Sequence, residues 1–373
     1  MFLVIEMKGL YIHIPFCIKK CKYCDFNSFS ACEKEKAAYL DALILEMKKY
    51  CGENVDSIFV GGGTPTCLSS KSLAFLLENI KENFCFDKNC EFTVEANPGT
   101  ISEEKLEILK KYGVNRISIG VQSFEDNELK KLGRVHTAEE ASEAIIIAKK
   151  YFENISIDLM CSIPNQTAES FKRTLNKAFL LNPDHISCYS LILEDGTPLW
   201  NEYQKGELIL PDEDTEREIY DLACGEMQKH GYLQYEISNF AKPGYESHHN
   251  KKYWQCEEYI GVGLSAHSYL NGVRFSNTDS FSSYVKGDIA SGEREVLSKE
   301  DKMSEYMFLG LRMTDGVSKS EFKEEFGEDM EKVFHKPLSK FIKMGMIEEN
   351  GDRIRIKRSG ICVSNQIMCE FIL

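Results

Sequence analysis

Three cysteines lie close together near the start of the chain, in the segment HIPFCIKKCKYCDF (13–26). Cys17, Cys21 and Cys24 have the spacing C-x3-C-x2-C, which is short enough for one loop to wrap a single metal centre. A structural zinc site needs four protein ligands, so zinc would require a fourth ligand such as His13. An iron–sulfur cubane is normally held by four thiolates, so three thiolates would leave one iron open for a substrate or cofactor.

The residues around the cysteines leave both kinds of metal site open. His13 lies within a strand pattern, and a side chain that points away from the loop would disfavour zinc. Lys19, Lys20 and Lys22 surround the cysteines. They either form a solvated loop or offset cluster charge and dock an electron donor such as flavodoxin or ferredoxin.

The composition sets the broad class of the protein. The 373 residues are 43% hydrophobic, which suits one large domain and a smaller one, and the formal net charge is −14. So acidic a chain has no general attraction for nucleic acid, and we expect no such partner. Glu6 and Lys8 interrupt the apolar N-terminus, and no run of 18 apolar residues follows. We therefore expect a cytoplasmic protein with reduced thiols, which favours a metal site over disulfides.

Short β-branched segments alternate with amphipathic ones in the first half of the chain. The predicted strands are 9–14, 57–61, 91–96, 116–121, 155–161 and 185–192, and the predicted helices are 33–50, 69–84, 102–113, 138–152 and 169–182. This alternation indicates a parallel sheet, either doubly wound or curved into a complete or partial barrel. Ligands gather at the carboxyl ends of such strands. GGGTP (61–65), Glu95, Gln122 and Asp158 lie at or near those ends.

The alternation fades after residue 194. The predicted elements that follow residue 300 are helices at 301–313, 318–327 and 330–345 and a β-hairpin that turns at Asn350-Gly351. We divide the chain into a barrel (1–195), an accessory or linking region (196–295) and an α+β winged-helix-like domain (296–373). We interpret the last domain as a packing or interaction module because it is not strongly basic.

The cysteine pattern, with Tyr23 as the aromatic residue before Cys24, resembles the signature of radical S-adenosylmethionine (SAM) enzymes. The resemblance implies an α/β fold with a partial (β/α)6 barrel, in which the three cysteines bind a [4Fe-4S] cluster and SAM chelates its open iron. It also implies that one electron from the reduced cluster cleaves SAM to a 5′-deoxyadenosyl radical, so the cofactor supplies the difficult chemistry.

Further residues resemble positions that contact SAM in this family. GGGTP resembles the motif for the SAM amino group, which assigns that contact to Gly62, Gly63 and Thr64, although glycines here also suit a tight turn. Glu95 resembles the acidic residue that holds the ribose hydroxyls. The remaining contacts that the resemblance implies are Tyr11, Tyr23, Gln122, Arg134 and Asp158. Without the resemblance, Tyr11 would suit a half-buried strand and Arg134 the surface.

Longer segments resemble one group within the family. YIHIPFC, GGGTP, VEANP, RISIGVQSF and DLMCSIP are together similar to the oxygen-independent coproporphyrinogen III dehydrogenase group. Its dehydrogenase branch has an N-terminal extension and a further cysteine two positions after the third. Here the first predicted strand begins at residue 9, and Phe26 stands where that cysteine would be. Both departures favour the heme-chaperone branch of the group.

The segment HNKKYW (249–254) resembles a motif associated with heme handling in that branch. His249 offers an imidazole to heme iron, and Tyr253 and Trp254 can pack against a porphyrin face. His248 and Cys256 are neighbouring candidate ligands. Without the resemblance, these residues would suit an ordinary surface loop anchored by its aromatic side chains.

The resemblance therefore implies a protein that binds heme and passes it to acceptor heme proteins. By resemblance the acceptors are respiratory enzymes, which would bring the protein to the membrane surface. The alternative is an enzyme that decarboxylates coproporphyrinogen III by radical chemistry, and a third hypothesis is a radical SAM enzyme with another substrate.

Overall fold

The first half of the chain alternates strands and helices as predicted. The computed structural model describes residues 7–373, so Glu6 lies outside the described residues. The strands are β1 (Lys8–Ile14), β2 (Val55–Gly62), β3 (Glu91–Ala96), β4 (Arg116–Gln122), β5 (Asn154–Cys161) and β6 (His185–Ser190). The helices are α1 (Glu33–Met47), α2 (Ser70–Asn83), α3 (Glu103–Lys111), α4 (Asp126–Leu132), α5 (Ala138–Ala148) and α6 (Ala168–Leu181). The short helix α4 was not predicted.

Strands β1 to β6 pair in parallel and in chain order. A doubly wound sheet would reverse its strand order at a switch point, and this sheet does not. The predicted partial barrel is thus confirmed. It is open, because the two end strands of the sheet that the described residues form are not hydrogen-bonded to each other.

Successive residues of these strands face opposite sides, which gives the barrel two different surfaces. One set is apolar and packs against the helices in a continuous core. Members of this core are Leu10, Ile12, Ile58, Val60, Val94, Ile117, Ile119, Ile155, Ile157 and Ile186. The other set is polar and lines the interior of the barrel. Ser57, Thr93, Arg116, Ser156 and His185 of this set are all buried.

Residues 195–290 contain more regular structure than their pattern indicates. The elements are α7 (Pro198–Gln204), α8 (Glu213–Lys229), β7 (Leu233–Glu236), β8 (Asn239–Ala241), α9 (His248–Trp254), β9 (Tyr259–Val262), β10 (His267–Leu270), β11 (Val273–Asn277), α10 (Phe281–Tyr284) and β12 (Ala290–Val296). Strands β9 to β12 extend the sheet beyond β1, and β8 and β7 extend it beyond β6. These strands are mostly too short to show an alternating pattern.

The C-terminal segment has its own small sheet and its own hydrophobic core. Its elements are α11 (Lys299–Gly310), β13 (Val317–Ser318), α12 (Lys319–Phe326), α13 (Met330–Val333), α14 (His335–Lys343), β14 (Ile347–Asn350), β15 (Arg353–Ile356), α15 (Arg358–Ile361) and α16 (Ser364–Cys369). The helix predicted at 330–345 is two helices. The hairpin turns at Gly351 and Asp352, because Asn350 pairs with Arg353. No helix in residues 7–373 is long and apolar enough to cross a membrane.

Candidate functional site

The cysteine loop leaves β1 and is closed at its base by β-like pairing. The backbone N–H of Cys17 donates to the carbonyl of Phe29 (3.0 Å), and the N–H of Phe29 donates to the carbonyl of Pro15 (2.8 Å). The buried ring of Phe16 packs edge-on against Phe29 and Tyr39. The loop that carries the three cysteines is therefore fixed at both of its ends.

Each cysteine has a different polar neighbour. The Sγ of Cys17 lies 3.7 Å from the hydroxyl of Thr64, and the Sγ of Cys24 lies 3.9 Å from that of Ser28. Arg134 donates to the Sγ of Cys21 (3.3 Å). Burial raises the pKa of the Cys17 and Cys24 thiols, so metal binding must displace their protons.

The arrangement of the thiols fits a cluster better than a single ion. Within residues 7–373, no three His, Cys, Asp or Glu side chains converge closely enough to hold one metal ion. In a cubane each thiolate binds its own iron, so the thiols need not meet at one point. Three thiols in one anchored, half-buried loop therefore suit a [4Fe-4S] cluster.

His13 connects β1 to the cysteine loop through the contacts of its two ring nitrogens. Its Nδ1 is 2.9 Å from the hydroxyl of Tyr11, and its Nε2 is 3.1 Å from the backbone carbonyl of Asn27. Burial lowers the pKa of His13, which favours the neutral ring. Both ring nitrogens are thus occupied, which argues against His13 as a fourth ligand for zinc.

The glycines that end β2 allow the backbone to approach its neighbours. Gly62 has a φ of +106°, and a Cβ there would overlap the imidazole of His13. A Cβ on Gly63 would lie 2.7 Å from the carbonyl oxygen of Phe16. The chain therefore needs glycine at both positions to bring this edge against the cysteine loop. Thr64 is held there by an N–H bond to the carbonyl of Phe16 (2.7 Å).

The cysteine loop and the carboxyl ends of β2 to β5 together form one end of the barrel, which we call the rim. A chain of side-chain contacts joins two of the cysteines across it. Asn97 donates to the hydroxyl of Thr64 (2.5 Å), which lies beside Cys17. Arg134, the neighbour of Cys21, donates to the Asn97 carbonyl and to the backbone carbonyl of Gly120 (2.5 Å). Asn97 is a site residue that the sequence analysis missed. Its only signal was its position in VEANP, two residues after Glu95.

Two carboxyl groups face each other inside this rim. Glu95 accepts the N–H of Gly62 (3.0 Å), and Asp158 accepts the hydroxyl of Ser118 (3.3 Å). Burial, and then the charge of Asp158, raise the pKa of Glu95 to about 8. Burial also raises the pKa of Asp158, against a hydrogen bond from Ser187. The pair is suited to accept hydrogen bonds from ligand hydroxyls.

Gln122 ends β4 in a strained conformation. Its φ is +68°, a left-handed value that is uncommon for a residue with a side chain. A Cβ on Gly120 would lie 3.1 Å from the amide nitrogen of Gln122 and 3.3 Å from the guanidinium of Arg134. The glycine therefore lets both side chains converge at the rim.

The two predicted tyrosine contacts have structural partners. Tyr23 packs against the small buried cluster of Leu132, Met160 and Ile163 and so anchors the cysteine loop. Tyr11 bonds to His13, and its ring stacks on that of Phe59 at a centroid distance of 6.3 Å.

The lysines of the cysteine loop differ in their surroundings. Lys22 forms an ion pair with Glu202 of α7 (2.6 Å), and its carbonyl accepts the N–H of Leu199. Lys20 donates to the carbonyl of Phe26 (2.7 Å). Helix α7 therefore supports the loop, and Lys22 is held by the protein itself.

The HNKKYW motif lies at the opposite end of the barrel. It forms most of α9, which contacts the starts of β2 and β3. The Glu91 carboxylate accepts the backbone N–H groups of His248 (2.9 Å) and His249 (3.0 Å). The imidazole of His249 is buried between the hydroxyls of Ser57 and Tyr253, each at 2.9 Å from a ring nitrogen, and stacks on Phe59. As folded, His249 offers no free nitrogen to iron.

Tyr253 and Trp254 line a cavity of about 380 Å³ between α9, β9, β10 and α11. Tyr259, Tyr269, Phe308 and Leu309 form much of the remaining wall, together with Cys256 and the ion pair of Arg274 and Glu305. The guanidinium of Arg312 lies 4.3 Å from the ring centroid of Trp254 and pairs with Glu236. The structure thus places the residues predicted to contact SAM at one end of the barrel and the motif aromatics at the other.

Comparison with known proteins agrees with this geometry. Residues 11–178 match the radical SAM superfamily, and residues 297–363 match the HemN C-terminal domain. The structure is similar to that of coproporphyrinogen III oxidase (HemN) from Escherichia coli, with a TM-score of 0.86 and 24% identity over 98% of this chain and 90% of that one. The barrel and its three-cysteine rim therefore define a radical SAM protein.

The similar sequences identify the family within that class. The heme chaperone HemW of Bacillus subtilis is 41% identical over 98% of this chain and 99% of its own length. The heme chaperone HemW of Lactococcus lactis is 40% identical over 97% of each chain. The chain belongs to the HemW family.

Replacing Gly62 by Ala is expected to remove SAM binding. The new methyl would overlap His13 and add left-handed backbone strain, at a combined cost of about 2–4 kcal/mol. The matched control is Gly113→Ala, because Gly113 has a similar φ of +96° but open space around its Cβ. Equilibrium dialysis with SAM and thermal unfolding measure both effects. Equal behaviour of the two variants would contradict a specific role for the His13 contact.

Acid unfolding should report the burial of His249. Burial, followed by repulsion from Lys252, lowers its pKa to about 3. The unfolded chain therefore binds a proton between about pH 6.5 and 3 that the folded chain excludes, so the His249 contribution to stability falls as the pH falls through this range. In His249→Gln the slope of unfolding free energy against pH should decrease by about 1.4 kcal/mol per unit at pH 5. An unchanged slope in urea titrations would show that the ring is already solvated.

Proposed function

We propose that this protein binds heme and passes it to acceptor heme proteins, while its barrel holds a [4Fe-4S] cluster and SAM. The observation that carries the proposal is similarity over nearly the whole chain to proteins named heme chaperone HemW. By the earlier resemblance, the acceptors are respiratory enzymes. An electron donor such as flavodoxin or ferredoxin would be needed only if SAM is cleaved.

The rim residues supply the binding site for the cluster and SAM. Cys17, Cys21 and Cys24 would hold the cluster, and the glycine edge from Gly62 would admit the amino acid part of SAM. When bound and reduced, the cluster supplies the electron for SAM cleavage. The remaining rim residues would bind and orient SAM, Gly63 through its backbone and the others through their side chains; these others are Tyr11, Tyr23, Thr64, Glu95, Gln122, Arg134 and Asp158.

The aromatic cavity beside α9 is the proposed contact surface for heme. Tyr253, Trp254, Tyr259 and Tyr269 give it flat apolar walls, which suit a porphyrin face. Its volume of about 380 Å³ is smaller than a whole heme group needs, so part of the heme would remain exposed. Partial exposure favours a carrier, because the acceptor can reach the bound heme.

His249 is proposed as an iron ligand only after a change of side-chain position. Its bond to Tyr253 or to Ser57 must break before a ring nitrogen can reach iron. Hemin binding to His249→Gln tests this directly. We expect an altered Soret band with little loss of affinity, since the cavity walls remain. A Soret band identical to that of the wild type would remove His249 from the iron site.

Blocking the cavity should weaken heme binding. Leu309→Trp places an indole in the cavity, and we expect hemin affinity to fall at least about tenfold in an anaerobic absorbance titration of the full chain. The matched control is Leu180→Trp, because Leu180 is 82% exposed on α6. If both variants bind hemin as the wild type does, heme lies elsewhere on the protein.

Coproporphyrinogen III decarboxylation is the second candidate function. The fold shared with HemN and the intact cofactor rim favour it. Against it stands Phe26, which is 62% exposed at the position where the dehydrogenase branch has a further cysteine. Reconstituted protein with coproporphyrinogen III, SAM and a reductant is expected to form no protoporphyrinogen. Formation of that product would refute a role limited to heme transfer.

A further inference from the structure

Arg116 is a buried cation without an ion-pair partner in the described structure. It is 2% exposed and is among the largest fully buried side chains. One terminal nitrogen lies 3.4 Å from the hydroxyl of Thr93, and its Nε has no hydrogen-bond partner. An arginine remains protonated even when buried, so its charge must be balanced by other groups.

The strand register places Arg116 beneath the two rim carboxyl groups. Arg116 pairs with Thr93, Ser118 pairs with Glu95, and Gly120 pairs with Asp158. Alternate residues of a strand share a face, so the three β4 residues and both acids face the barrel interior. Ser118 lies about 7 Å along β4 from Arg116, a distance that an arginine side chain can span.

The other ionisable groups around this space are neutral or already engaged. Below Arg116 lie His185, His249 and Tyr235, and burial lowers the pKa of both histidines. Above it, Tyr11 faces Glu95, and Tyr189 and Arg134 face Asp158. Arg134 is bonded to Cys21, Asn97 and Gly120. Arg116 is therefore the cation left to balance the two carboxylates from within the barrel.

We propose that Arg116 is a positioning residue for the cofactor rim, whose guanidinium favours the ionised form of Glu95 and Asp158, the form that accepts hydrogen bonds from SAM hydroxyls. The inference rests on the proposed SAM site and assigns to it a residue that does not touch the ligand. The positive charge of Arg116 opposes the effect of burial on the pKa of both acids. Without it, Glu95 would be protonated over a wider pH range.

The test is the pH dependence of SAM binding to the anaerobically reconstituted, oxidised full chain. SAM affinity should rise with pH as the acids ionise. In Arg116→Gln we expect the midpoint of this rise to lie at least about 0.5 pH unit higher, which lowers SAM affinity about threefold at pH values below both midpoints. Arg116→Lys retains the positive charge, so its midpoint should lie close to that of the wild type. The amino group of SAM titrates in the same range, so the measured quantity is the difference between variants.

A role confined to packing predicts a different result. It would lower affinity or melting temperature equally at every pH and leave the midpoint unchanged in Arg116→Gln, which would overturn the proposal. Glu95→Gln identifies the titrating group, since it should abolish the difference between variants. If Arg116→Gln does not fold, Arg116→Met is the second neutral variant; a Glu95 midpoint equal to that of the wild type, measured in it by isotope-edited infrared titration, would also overturn the proposal.

These outcomes separate the inference from the proposed function. If the wild type does not bind SAM at any pH, the proposed cofactor site itself is contradicted. Normal SAM binding with no shift between variants would contradict only the role of Arg116. Far-ultraviolet circular dichroism of Arg116→Gln serves as the fold control, because His249, the proposed iron ligand, lies directly below Arg116 and hemin binding is not independent of it.

Discussion

The parallel pairing of β1 with β2 is the interaction on which the cofactor end of the molecule depends. It places His13 beside Gly61 and Ile14 beside Gly62. The imidazole of His13 then fills the volume that a side chain at position 62 would need, and it bonds to Asn27 of the cysteine loop. One ring thereby sets the distance between the loop that carries the thiols and the glycine edge that faces them.

The interior of the barrel follows from the same pairing. Every second residue must face inwards, and apart from aromatic residues such as Phe59 the inward residues of this chain are polar rather than the branched aliphatic residues that fill many barrels. Their hydrogen bonds are mostly satisfied by one another, as in the contacts of His185 with Ser156 (2.8 Å) and Tyr235 (2.9 Å). The interior is therefore a buried and largely polar layer beneath the rim, and burial raises the pKa of both acids above it.

Local patterns were sufficient to predict the six strands, and the spacing of the three cysteines was sufficient to predict that they share one loop. Alternation in β3 and β4 and the spacing of Cys17, Cys21 and Cys24 need no knowledge of distant residues. The contacts of Asn97 and Arg116 could not be predicted, because they depend on the register between strands that lie far apart in sequence. The burial of His249 was equally hidden, since Ser57 and Glu91 precede it by more than 150 positions.

The stacked rings of Tyr11, Phe59 and His249 connect the two ends of the barrel, with centroid distances of 6.3 Å and 5.3 Å. The imidazole of His249 stacks on Phe59, the ring of Phe59 stacks on Tyr11, and Tyr11 is bonded to His13 beside the cysteine loop. The two proposed ligand sites are thus connected by packed side chains. Thermodynamic linkage then requires reciprocity: the factor by which one ligand changes the affinity for the other is the same in both directions.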